Sequence, residues 1–149
     1  MSKTKVPVVK PRKSLVKGML AGLAGGLAGA VAMTIAERFL PHPASSEPAV
    51  EPQPPEKKIA IQTVRWGVGA AVGAAYGAIA EYYPAATSKE GVTFGMAVEA
   101  LAHEGALPAL SFLVKPPDAP ALTRAGGITS HIVYGVATEV VRGFVRKRL

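Results

Sequence analysis

Five ionisable side chains occur within two apolar stretches in the second half of the chain. They are Glu99, His103, Glu104, His131 and Glu139. A charge in the middle of a bilayer costs at least about 2.5 to 3.5 kcal/mol, so such residues usually pair with one another. Imidazole gains or loses its proton near neutral pH, and burial disfavours an ionised carboxylate. The pattern therefore predicts a polar core that responds to protonation between about pH 5 and 7.

Two interpretations of this polar core follow from its residue types. Neutral imidazole and carboxylic acid groups can hydrogen-bond across helices and hold them in register. Alternatively, the same groups can form a proton or ion path. Glu99 and His103 share one helix face and could contribute to a metal site. Ser111 and Ser130 lack a recognisable base and oxyanion site, and we predict no metal, no cofactor and no enzymatic activity.

Four apolar segments must position these side chains. We predict transmembrane helices at residues 15–40, 61–83, 91–114 and 126–146. Each has about the 20 residues that cross a bilayer, and together they predict an all-α, glycine- and alanine-rich antiparallel bundle. The domain covers residues 15–149, after a basic tail at residues 1–14. Ala30-Val31-Ala32 also fits a signal-peptide cleavage site, which is the alternative for the first segment.

A proline-rich linker at residues 41–58 separates the first two predicted helices. It contains six prolines and three glutamates, and it is too polar to lie in hydrocarbon. We therefore place it on the outer side of the membrane. The next polar turn and both termini then lie on the cytoplasmic side.

The distribution of charge supports this topology. The net charge is +7, and the basic residues cluster at the two ends of the chain, beside apolar segments. No aromatic residues alternate with them, so the clusters favour positive-inside signals over nucleic-acid binding. The chain contains no cysteine, which excludes disulfides and thiolate chemistry. We expect a multi-pass protein of the bacterial inner membrane, with the lipid bilayer as partner and no nucleic acid.

Small residues recur at every fourth position in the predicted helices, a pattern that lets backbones approach closely in lipid. The glycines predicted to pack the helices are Gly18, Gly22, Gly26, Gly69, Gly73, Gly77, Gly91, Gly95, Gly127, Gly135 and Gly143. In segments this rich in glycine and alanine the spacing also arises by chance. The spacing therefore predicts a tight bundle, and possible homo-oligomers formed through the same surfaces, but it does not identify which helices pair.

A motif of an aromatic residue, a glycine, three further residues and a glutamate occurs three times. Its copies run from Tyr76 to Glu81, from Phe94 to Glu99 and from Tyr134 to Glu139. At the helix ends we also predict two structural ion pairs, Glu37 with Arg65 and Glu81 with Arg142.

Four stretches carry a resemblance to a known family: GMLAGLAGGLAG through AERFLP, YGAIAEYYP, HEGALPAL and SHIVYGVATEVVRGFVRKRL. With them, residues 15 to 149 resemble the YagU-like family of small bacterial inner-membrane proteins of unknown function. The resemblance implies a membrane location and fold, and it transfers no catalytic residues. This chain departs from that family at Leu40-Pro41-His42-Pro43, where members carry a PPR-like motif. We expect a structural or stress-related membrane component, with a proton, ion or small-solute conduit as the alternative.

Overall fold

Four α-helices and no strand are present in the computed structural model, which describes residues 13–40, 54–102 and 121–149, with the backbone alone for 121–124. The helices are α1 (Leu15–Ala36), α2 (Pro55–Tyr82), α3 (Val92–Ala100) and α4 (Ala121–Arg146). A 3-10 segment, Pro84–Gly91, connects α2 to α3. The prediction of an all-α chain with four helices is therefore confirmed for the described residues.

Three helix boundaries differ from the predicted ones. α2 begins at Pro55, inside the stretch assigned to the proline-rich linker, and α4 begins at Ala121, directly after Pro120. Pro55 suits the first position of α2, since the φ of proline is already helical and its missing N–H has no partner there. α1 ends at Ala36 rather than at residue 40, and hydrogen-bonded turns follow it.

Parts of the predicted organisation lie outside the described residues. These parts are the basic tail up to residue 12, residues 41–53 of the linker, and residues 103–114 of the third predicted helix. Among the predicted site residues, His103 and Glu104 belong to this group.

α1 packs against both α2 and α4, and α4 packs in turn against α3. Along the contact of α1 with α2, Gly18 lies opposite Gly77 and Gly26 lies opposite Gly69, so these helices are antiparallel. The start of α1, the end of α2 and the end of α4 consequently lie at one end of the bundle. We call this the basic end, after its exposed side chains Lys13, Lys17, Lys147 and Arg148.

In α1 the small side chains are buried and the large apolar side chains are exposed, which is the reverse of the usual arrangement. Its buried residues are all small: Gly18, Ala21, Gly22, Gly25, Gly26, Gly29 and Ala30. Its large apolar side chains point outward, with Leu20, Leu23 and Leu27 between 43% and 52% exposed. Water-soluble proteins usually bury such leucines. Small residues at the contacts and large apolar residues outside are typical of helices packed in lipid.

Within the described ranges, α1 is the one helix that is long and apolar enough to cross a membrane. The sequence predicted four such helices. α2 and α4 carry charged side chains within their length, such as Arg65 and Arg142, and α3 is described over nine residues.

Candidate functional site

α1 and α2 contact each other through their backbone atoms. A Cβ atom added to Gly73 would lie 2.5 Å from the Cα of Gly26, and one added to Gly22 would lie 2.8 Å from the Cα of Gly77. Both distances are shorter than carbon atoms tolerate, and backbone cannot rotate away as a side chain can. These glycines therefore set how closely the two helices approach.

A second glycine row of α1 faces α4. A Cβ at Gly29 would lie 2.7 Å from the carbonyl oxygen of Tyr134, and one at Gly25 would lie 3.2 Å from the Cβ of Arg142. Neither glycine was among the predicted packing residues. The signal was present in the sequence, since Gly25 and Gly29 are four residues apart and lie next to the row that faces α2.

The third glycine contact joins α3 to α4. A Cβ at Gly135 would lie 2.5 Å from the backbone nitrogen of Gly95, and Gly91 has a φ of +89°, which favours glycine. Gly127 faces the side chain of Glu99, with 3.3 Å between an added Cβ and Oε1. The glycine rows thus hold α1, α2, α3 and α4 close to one another.

Gly143 departs from its predicted packing role. A Cβ at this position would meet no described atom within 4 Å. The reason is the winding of its row, because each step of four residues turns about 40° around the helix. Over the four steps from Gly127, the row leaves the faces of α4 that contact α1 and α3.

The aromatic residues of the three sequence motifs form one layer in the interior. The rings of Tyr76 and Phe94 are stacked with centroids 3.9 Å apart, and the ring of Tyr134 lies 5.7 Å from that of Phe94. Tyr134 donates a 2.7 Å hydrogen bond to the carbonyl oxygen of Gly69. Both tyrosines are 3% exposed, so their hydroxyl groups depend on protein partners.

The glutamates of the same three motifs each contact a basic side chain of α4. Glu99 contacts His131, Glu139 contacts Arg142, and Glu81 contacts Arg146. The motif thus has a consistent structural meaning. Its aromatic residue enters the central layer, its glycine lies at a helix contact, and its carboxylate binds a base on α4.

Glu99 and His131 form the polar contact between α3 and α4. Nδ1 of His131 lies 2.5 Å from Oε2 of Glu99 and 3.0 Å from the carbonyl oxygen of Gly127. Because both neighbours accept hydrogen bonds when Glu99 is ionised, Nδ1 then carries the proton. In the neutral ring this leaves Nε2 as an acceptor and as the atom that can take up a second proton.

Glu139 belongs to a separate polar cluster, eight residues further along α4 from His131, or about 12 Å. Its carboxylate accepts hydrogen bonds from Nε and Nη2 of Arg142 at 2.7 and 2.6 Å, and from the hydroxyl of Tyr76 at 2.7 Å. Arg142 is 9% exposed, and its guanidinium lies 5.7 Å from the centre of the Tyr76 ring. The members of the predicted polar core that the structure describes are therefore divided into two clusters along α4.

The two predicted ion pairs have different outcomes. Nη2 of Arg65 lies 2.6 Å from Oε1 of Glu37, as expected. Glu81, however, binds Arg146 rather than Arg142, because Glu139 already holds Arg142 and Arg146 follows one helical turn later. Oε2 of Glu81 also accepts a 3.1 Å hydrogen bond from the backbone N–H of Ser14, the N-cap of α1. Glu81 thus connects α1, α2 and α4.

A cavity of about 470 Å³ lies among the helices, towards the end of α1. Its wall is mainly apolar, with Met33, Val68 and Val98 among the lining residues, and His131 and Tyr134 supply polar groups. Within residues 13–40, 54–102 and 121–149, no group of three or more acidic, histidine or cysteine residues could hold a metal ion.

One family model matches this chain, over residues 55–140, and its description is "Protein of unknown function (DUF1440)". The matched segment begins with α2 and contains all three aromatic–glycine–glutamate motifs. This agrees with the expectation of a family of unknown function, whereas the YagU-like assignment stays a prediction. No curated protein and no solved structure matches the chain.

Proposed function

The chain belongs to the DUF1440 family, and we propose that it is a multi-pass protein of the bacterial inner membrane with a structural or stress-related role. The observation that carries this proposal is the sorting of α1, whose glycines and alanines are buried while its leucines face outward. In water, this arrangement would expose a large apolar surface. In lipid, it is the favourable one.

Four membrane crossings with both termini in the cytoplasm are part of this proposal. Ion pairs among the charged side chains of α2 and α4 support it, for example Glu139 with Arg142 and Glu81 with Arg146. The end of the bundle that carries Lys13, Lys17, Lys147 and Arg148 then faces the cytoplasm, in agreement with the positive-inside rule.

A structural role is supported by what the polar groups do in the described residues. Glu99 of α3 binds His131 of α4 and Glu81 of α2 binds Arg146 of α4, so these contacts fix the rotation and the depth of neighbouring helices. Glu139 pairs with Arg142 within α4 and contacts α2 through the hydroxyl of Tyr76. We expect no enzymatic activity and no cofactor. Self-association through glycine and alanine surfaces belongs to the same proposal, and a monomer mass in mild detergent at high protein concentration would count against it.

Single-cysteine labelling tests the topology directly, because the natural chain contains no cysteine. We suggest Lys58→Cys at the start of α2, with Ser88→Cys and Lys147→Cys at the other end of the bundle; all three positions are exposed. In spheroplasts, a membrane-impermeant maleimide should label position 58 alone. After permeabilisation, it should label all three. Equal labelling in intact spheroplasts, or release of the protein by alkaline carbonate, would contradict the proposal.

The second candidate function is a proton, ion or small-solute conduit, and the cavity beside His131 favours it. The stacked rings of Tyr76 and Phe94 lie between α2 and α3, on the side of the cavity that faces the basic end. A flux assay in liposomes under a pH gradient decides between the two functions, with the parent chain compared with Glu99→Gln. Flux that depends on Glu99 would favour the conduit, and the absence of flux in both proteins would remove it.

A further inference from the structure

The basic end presents, on one surface, cations from the residues around the start of α1 and from those that follow α4. Nζ of Lys17 donates a hydrogen bond to the backbone oxygen of Leu149, which places the start of α1 beside the residues that follow α4. The carboxylates of Glu81 and Glu139 near this end are already bound by the arginines of α4. Lys13, Lys147 and Arg148 stay exposed, so the surface is positively charged.

Two of these cations lie directly over exposed aromatic rings. The guanidinium of Arg148 is 4.1 Å from the ring centre of Phe144, and Nζ of Lys13 is 5.8 Å from that of Tyr82. Phe144 is 57% exposed and Tyr82 is 47% exposed. The charged surface therefore borders an apolar one without an intervening polar layer.

The first turns of α1 also expose apolar side chains. Leu15 is 48% exposed and Val16 is 64% exposed, followed by Met19 and Leu20 on the next turn. A ligand that uses both parts must carry an anionic group joined to long apolar chains. A free phosphate ion would use the cations alone, and a nucleic acid would leave the apolar part uncovered.

We propose that the basic end is a binding site for an anionic phospholipid, with its phosphate at Lys13, Lys147 and Arg148 and its acyl chains along the exposed face of α1. The inference rests on the proposed membrane function and adds the lipid class to it. Basic residues at the cytoplasmic surface attract anionic headgroups, and each contributes roughly a five-fold preference. The cations that lie over aromatic rings are held at the level where headgroup and acyl chains meet.

Lipid retention by the purified protein tests this site. The full chain in neutral detergent is mixed with equal amounts of phosphatidylglycerol and phosphatidylcholine, and the retained lipid is measured by native mass spectrometry. The parent should retain more phosphatidylglycerol. The triple variant Lys13→Gln, Lys147→Gln, Arg148→Gln should lose that preference by roughly five-fold for each charge removed. Lys57→Gln with Lys58→Gln, two exposed lysines at the opposite end, is the control and should keep it.

Three results would each contradict the proposal that the basic end binds an anionic phospholipid. These are equal retention of the two lipids by the parent, equal loss of preference in the triple variant and the control, and displacement of the lipid by glycerol phosphate or by a single-stranded oligonucleotide. Cysteine labelling at positions 58 and 88 in the triple variant separates this inference from the proposed function. Correct labelling without lipid preference would remove the site alone, whereas incorrect labelling in the parent would remove the membrane topology.

Discussion

The hydroxyl of Tyr76 on α2 donates a 2.7 Å hydrogen bond to Oε2 of Glu139 on α4, while α1 packs against both of these helices. The same carboxylate accepts two hydrogen bonds from Arg142, so one half-buried acid receives three donors. Removing such a carboxylate from water costs little free energy, because its charge is balanced by Arg142 and its oxygens accept hydrogen bonds. The contact therefore connects the two outer partners of α1.

Tyr76→Phe should destabilise the protein by about 1 kcal/mol. The substitution keeps the ring stacked on Phe94 and removes one donor from the Glu139 carboxylate. Thermal unfolding in mild detergent would measure the loss. Tyr83→Phe is the matched control, because Tyr83 is 70% exposed, and it should leave the melting temperature unchanged. Equal melting temperatures for Tyr76→Phe and the parent would show that the hydrogen bond contributes nothing.

Gly73→Ala should cost about 1 to 3 kcal/mol, although alanine is the better helix former. The new methyl group would meet the backbone of Gly26, so α1 and α2 would have to separate. Gly67→Ala on the same helix is the control, since an added Cβ there meets no described atom within 4 Å. That variant should be neutral or more stable by up to about 1 kcal/mol. If both variants melt alike, the close helix contact is not decisive for stability.

Glu81 and Arg146 should show a favourable coupling of about 1 kcal/mol in a double-mutant cycle. Glu81→Gln and Arg146→Gln each remove the charge of one partner and keep most of the side-chain volume. The side chains are 6% and 17% exposed, so each single variant leaves a largely buried charge with a weaker partner. The double variant should lose less than the sum of the two single losses. Strictly additive losses would show that the pair has no energetic role.

Helix content was predictable because long apolar segments separated by proline and polar residues leave few alternatives. The ion-pair partners were not predictable. Glu81 could reach Arg142 or Arg146, which are one turn apart on the same side of α4, and spacing alone does not distinguish them. The rotation of α4 distinguishes them, and that rotation depends on where Gly25 and Gly29 contact it. Periodicity shows which residues share a face, but not which neighbour covers that face.

Two further differences between the prediction and the structure concern the start of α2 and the contacts of Gly143. Pro55 belongs to a stretch with so many prolines that it indicated a linker, yet a single proline at a first helical position favours a helix. Gly143 continues a row of every fourth residue that winds around α4, so its position in the sequence overstated its closeness to α1 and α3. Both differences come from geometry that residue types alone do not contain.

His131→Gln should reduce the response of the protein to pH between about 5 and 7. Imidazoles ordinarily gain a proton near neutral pH, and a second proton on the ring 2.5 Å from Glu99 would add a positive charge to that contact. Glutamine has a similar size, can still hydrogen-bond to Glu99, and has no group that titrates there. Melting temperatures at pH 5 and pH 7 should therefore differ less in the variant than in the parent. His42→Gln, at a histidine in the proline-rich linker, is the control and should show the same pH response as the parent. If all three proteins show the same pH response, the contact between Glu99 and His131 does not depend on pH.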